Sequence, residues 1–188
     1  MVCESADADV VAATTAWLEK AVLGLELCPF AREPHVAGRI RYVVSHADTA
    51  EELVQALLDE LHFLTEADPA KVETTLLIHP GVFEDFLEYN DFLDVADAAV
   101  EDLDLDGEIQ VASFHPRYQF SGTNANDMEN YSNRSPYPML HLLREASVEH
   151  AVALHPDIEQ IPQNNICTLN RLGRRGWDKL MADDTPSD

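Results

Sequence analysis

FHPRYQFSGTNANDMENYSNRSPYPMLH, residues 114–141, is the stretch on which the reading of the fold turns. It leaves an apolar run, Ile109 to Phe114, and enters another apolar segment near Pro138, yet most of it has neither helical nor strand periodicity. Structureless connections longer than about 12–15 residues are uncommon in compact domains and are usually functional or disordered. Disorder fits poorly with Tyr118, Phe120, Tyr131 and Tyr137, which supply aromatic surface that a solvated linker lacks. The stretch therefore reads as a long ordered loop carrying the functional site.

Upstream of it, Ile40 to Val44, Thr74 to Ile78 and Ile109 to Phe114 read as short strands, the last two stopped by His-Pro. Helical patterns separate them. Val10 to Leu27 has Asp9 as a candidate N-cap, an apolar face including Trp17 and Val22, and a stop at Pro29. Ala50 to Thr65 carries Leu53, Leu57, Leu61 and Leu64 behind an Asp48 or Thr49 cap, and an acidic helix spans roughly Val82 to Leu103. Strands joined through helices favour parallel pairing, because parallel strands need long crossovers. The expectation is an α/β fold: a small, mainly parallel sheet of at least three strands, flanking helices, and the long loop at the C-terminal sheet edge. Downstream, a helix is expected from about Pro138 to Val152, a break at His155-Pro156, and a final helix from about Pro162 to Met181, interrupted near Gly173 or Gly176. A chain of 188 residues suits one domain, expected over residues 9–182 with flexible ends at 1–8 and 183–188.

Composition narrows the function. Twelve basic residues against 35 acidic ones give a net charge of −23, which repels a phosphate backbone, so no nucleic-acid partner is expected. No apolar run approaches a membrane span, and MVCESADADVV lacks the basic region and apolar core of an export signal. Cys3, Cys28 and Cys167 are odd in number and have no metal-binding or redox spacing, which suits a reducing compartment. A cytoplasmic protein without a membrane partner is expected; the pattern does not set its oligomeric state.

A parallel sheet would bring His46, His79 and His115 to one edge, where open α/β sheets bind ligands. His115 and His79 are candidate proton-transfer groups, since imidazole titrates near neutrality, and Asp127 is a candidate base. Each also has a structural reading: a strand-end His bonded to a loop carbonyl, or an Asx turn. Arg134 stands just before Pro136 and Pro138. A helix opening at Pro138 would place free amides beside its guanidinium and make a carboxylate or phosphate pocket; the alternative is an Arg that holds the loop closed against Asp127 or Glu129. Asn130, Asn133, Tyr118 and Ser135 are candidate substrate-orienting groups, and His141 joins them from the following helix, at helical spacing to Arg144 and Glu145. Cys28, at a helix C-terminus, lacks the dipole that activates a thiolate and reads as core. No phosphate loop, dinucleotide fingerprint, zinc-protease motif or nucleophile elbow is present, so no cofactor is specified, and no close ligand spacing points to a metal.

FHPRYQF, NYSNRSPYPMLHLLREASVE and IPQNNICTLNRLG, with LCPF at Leu27 to Phe30, resemble a bacterial family catalogued as domain of unknown function 1415, from the first helix almost to the end of the chain. The resemblance implies a shared fold and site and brings no catalytic role. The residues themselves suggest a small enzyme using acid–base chemistry on an anionic metabolite. The alternatives are a non-catalytic ligand-binding or regulatory protein, favoured if His79 and His115 are held in structural hydrogen bonds, and a metal-dependent hydrolase.

Overall fold

The three short runs become strands with the expected bounds: β1 Ile40–Val44, β2 Thr74–Ile78 and β3 Ile109–Phe114. They belong to a computed structural model that describes residues 2–154 and 158–182; the expected His155-Pro156 break and the 183–188 tail lie outside the described residues. β1 and β2 pair in parallel, from Ile40 opposite Thr74 to Val44 opposite Ile78. β2 and β3 are not neighbours. A fourth strand, β4 Met139–Arg144, lies between them and runs antiparallel to both, giving the order β1-β2-β4-β3.

This corrects two expectations. The sheet is mixed rather than mainly parallel, and the segment from Pro138 enters a strand rather than a helix. MLHLLR is a central strand flanked on both sides, so its apolar residues form a continuous run whose period is hidden, and Met and Leu suit a helix equally well. What decides between them is the facing edges of β2 and β3, whose amides and carbonyls both need partners. Helix begins only at Glu145, in α5 Glu145–Leu154. Two antiparallel steps restore direction, so β1, β2 and β3 still end at one sheet edge.

The helices form a layer on each sheet face. α1 Val2–Trp17 starts upstream of the expected Val10 and passes into a π-helical turn, Leu18–Leu23; α2 is a short piece, Arg32–Val36. α3 Ala50–Glu66 is capped by Thr49, whose side chain accepts from the Glu52 amide at 3.3 Å, and α4 Phe86–Asp102 by Asp85, which accepts from the Leu87 amide at 2.9 Å. α3 buries Leu53, Leu57, Leu61 and Leu64 with α4 against Leu77, Leu140 and Leu142 of the sheet. On the opposite face, α1, the π-turn and α6 Ile161–Met181 pack Trp17, Leu18, Leu169 and Trp177 around Ile78 and Met139. Gly173 within α6 has φ of 66°, which breaks the helical path at the place the sequence marks. Arg144, at the end of β4, donates through Nη2 to the carbonyls of Leu64 and Ala67 and so closes the C-terminus of α3. Among the described residues, no helix is long and apolar enough to cross a membrane.

Tyr89 of α4 completes the sheet where its inner ladder ends. Its buried hydroxyl donates to the Met139 carbonyl at 2.8 Å and accepts from the Phe114 amide at 3.1 Å, which links β4 to β3 at their last paired residues. Tyr89→Phe leaves both backbone groups without that partner. A loss of about 1–3 kcal/mol in unfolding free energy is expected by urea titration, the cost of a buried unsatisfied group; a loss below about 0.5 kcal/mol, within the range of neutral substitutions, contradicts this role.

Candidate functional site

The shared strand edge brings His79 and His115 together, with the Tyr89 ring between them, stacked 5.8 Å from His79 and tilted 5.1 Å from His115. Both imidazoles are fully buried. His115 lies 3.1 Å through Nε2 from the Phe83 carbonyl and accepts through Nδ1 from the Arg117 amide at 3.0 Å, so both ring nitrogens are engaged with backbone. His79 lies 3.1 Å through Nδ1 from the Val82 carbonyl, and its Nε2 is buried without a partner. A carbonyl only accepts, so these contacts place the protons on His115 Nε2 and His79 Nδ1. Burial lowers both pKa values, His79 to about 4. His46 stands apart from the pair: it is exposed and sits 3.2 Å from Asp7 of α1.

Residues 115–138 connect β3 to β4 and contain a 3-10 helix, Met128–Asn133. Their polar side chains are largely used on nearby backbone groups. Asn130, fully buried, accepts from the Phe120 amide at 2.9 Å and donates to the Asn124 carbonyl at 2.8 Å. Asn133 donates to the Ser113 carbonyl at 3.1 Å, and its own carbonyl accepts from the His115 amide. Asp127 accepts from the Asn124 amide at 2.7 Å, Ser135 donates to the Tyr137 carbonyl at 2.6 Å, and Tyr118 packs between Phe86 and Phe120. Arg134 donates to the carbonyls of Tyr118 at 3.1 Å and Ala125 at 2.6 Å, with its guanidinium 4.4 Å from the Tyr131 ring centre. The helix start that was to share an anion with Arg134 is absent, because Pro138 leads into β4. The guanidinium holds the connection together through carbonyls rather than through Asp127 or Glu129.

His141 is elsewhere. Strand alternation puts Met139, His141 and Leu143 on the sheet face opposite α3 and α4, so the helical grouping with Arg144 and Glu145 does not form. Among the described residues that face is only half covered: α1 and α6 pack over its Ile78 end, and the Ile40 and Thr74 end is left as the floor of a cleft of about 860 Å³. α5 forms one wall through Ala146, Val148 and Ala151, and residues 28–34 form another. Trp17, edge-on to Phe114 at 5.3 Å, closes the upper end. His141 lies in the floor beside Leu76 and Ala112, its Nε2 2.7 Å from the Thr74 hydroxyl and its pKa lowered to about 4 by burial. Cys28 also lines the cleft, and burial raises its thiol pKa, which keeps it protonated and unreactive. The sequence reading named His141 but missed Thr74, Ala112 and the cleft. The available signal was a single imidazole at an inward position of MLHLL, visible only once that run is read as a strand.

Among the described residues, no three His, Cys, Asp or Glu side chains are grouped to hold a metal ion. Fold and site define a three-layer α/β protein with a buried histidine pair at one sheet edge and an open apolar cleft on one sheet face. The chain belongs to the family described as protein of unknown function (DUF1415), whose model matches residues 9–179. No curated protein and no solved structure matches the chain.

The His79 environment has a pH signature. An unfolded His titrates near 6.5 and the folded His79 near 4. Between those values the unfolded chain binds the extra proton, so the contribution of His79 is fully present above about pH 6.5 and is lost as pH falls toward about 4. His79→Asn keeps a donor for the Val82 carbonyl and removes the titration. Unfolding free energies measured from pH 7 to 4.5 are expected to fall more steeply for wild type than for this variant, and parallel curves contradict the buried neutral imidazole.

Proposed function

We propose that this protein is a ligand-binding protein whose site is the apolar cleft against α1 and α5. The observation that supports this most is the cleft itself, about 860 Å³ over half of one sheet face. Ligand sites typically measure about 300–1,000 Å³ and combine apolar walls with a few convergent polar groups, here His141 above all. A space of that size left open in a small fold forfeits contacts that close packing normally supplies.

The acid–base reading draws less support. His115 has both ring nitrogens committed to backbone, and the free nitrogen of His79 is sealed from solvent. General acid or base work needs a nitrogen within reach of a substrate proton. The anionic metabolite rested on Arg134 beside free helix amides, and those amides belong to a strand. The net charge of −23 argues against nucleic acid as the ligand.

Nile red, a neutral apolar fluorophore, tests the cleft directly. Wild type is expected to take up one equivalent saturably, with blue-shifted emission. Ala112→Phe, which puts a ring into the floor of the cleft, is expected to abolish this uptake while the thermal midpoint is maintained. Non-saturable uptake by wild type, or unchanged uptake by the folded variant, contradicts the proposal.

A further inference from the structure

We infer that the natural occupant of the cleft is an uncharged, largely apolar molecule that donates one hydrogen bond, from a hydroxyl or N–H group, to Nδ1 of His141. The inference rests on the cleft being a binding site and specifies the class of ligand it takes.

One hydroxyl proton, that of Thr74, sets the tautomer of His141. The Thr74 Oγ1 lies 2.6 Å from the Leu142 carbonyl and 2.7 Å from His141 Nε2. A carbonyl oxygen only accepts, so the single hydroxyl proton of Thr74 goes to Leu142. Toward His141 the hydroxyl oxygen can then only accept, and Nε2 must carry the imidazole proton. His141 is neutral at pH 7, since burial holds its pKa near 4. A neutral imidazole has one N–H, so Nδ1 is left as a lone pair. Nδ1 takes no partner among the described residues, and the ring is part of the cleft floor. Nδ1 is not sealed, unlike Nε2 of His79, so an acceptor set among mainly apolar walls faces the cleft and is open to a ligand's donor.

Charge complementarity sets the rest. The guanidinium of Arg39, at the mouth of the cleft, is paired with Glu33 and, at 2.9 Å, with Glu73. Arg144 donates to the carbonyls of Leu64, Ala67 and Val72. Each arginine has an unpaired Nε, but both atoms are sealed and beyond reach of a ligand. An anion in the cleft would therefore bring lone pairs to a lone pair, with both lining guanidinium groups already committed. A cation would find Glu33 and Glu73 already neutralised by Arg39.

Three probes of one shape separate a neutral donor from a neutral apolar molecule and from an anion: 4-phenylphenol, biphenyl and biphenyl-4-carboxylate, each titrated at pH 7 against bound Nile red. Wild type is expected to prefer the phenol over both others by about tenfold, the size of one net hydrogen bond. In His141→Phe, which keeps the ring volume and removes the acceptor, the preference over biphenyl is expected to shrink to about twofold or less while Nile red still binds. If that variant does not fold, the order of the three probes on wild type decides. A carboxylate that binds as tightly as the phenol, a phenol preference that survives in His141→Phe, or failure of all three to displace bound Nile red overturns the ligand class and leaves the cleft in place. Failure of Nile red itself to bind overturns the cleft reading instead.

Discussion

The backbone ladder by which Met139–Arg144 fills the gap between β2 and β3 is the constraint on which the rest of the molecule depends. Without it both strands would end the sheet with open inner edges, and a buried edge of unpaired amides and carbonyls is not tolerated. The ladder also sets the positions of the side chains of interest. It brings Phe114 and Ile78 opposite the same residue, Met139, so that His79 and His115 follow on either side of β4. It sets His141 across from Leu76 and Ala112, next to the rung where Thr74 can reach both its ring and the Leu142 carbonyl. It carries Arg144 to the last carbonyls of α3.

The two histidine environments that result differ in what is left over. At the strand edge, polar groups are closed upon one another: backbone takes both nitrogens of His115, Asn130 and Arg134 are bonded within the connection, and Asn133 is bonded to the Ser113 carbonyl of β3. Such mutual satisfaction gives rigidity, since each group removed would strand a buried partner. In the cleft the balance is different, because His141 offers an acceptor and the surrounding walls are mainly apolar, with the Arg39 and Arg144 guanidinium groups already bonded. The proposed binding role falls to His141 because its free nitrogen is unsatisfied and accessible, whereas Nε2 of His79 is sealed.

Much of the layer structure was legible in the residues. Ile40–Val44, Thr74–Ile78 and Ile109–Phe114 have the β-branched or apolar content and turn signals that define strands, and the Leu53 to Leu64 stripe defines α3. The fourth strand was not legible, because a central strand with apolar residues on both faces loses its alternation, and only tertiary pairing distinguishes MLHLLR from a helix. That one ambiguity carried over to the site. Reading a helix at Pro138 gave Arg134 a set of amides to share with an anion and turned His141 toward Arg144 and Glu145. The cleft could not be read at all, since it is an absence of cover over Ile40, Thr74 and Leu143 by elements distant in sequence.

The tautomer of His141 links the fold to the proposed binding site, and it can be read without a ligand. Nitrogen-15 spectra of the imidazole in the free protein at neutral pH, assigned by loss of the signals in His141→Phe, separate protonated from unprotonated ring nitrogens. A pyrrole-like Nε2 and a pyridine-like Nδ1 are expected from the Thr74 to Leu142 hydrogen bond. The reverse pattern, or an imidazolium with both nitrogens protonated, would contradict it.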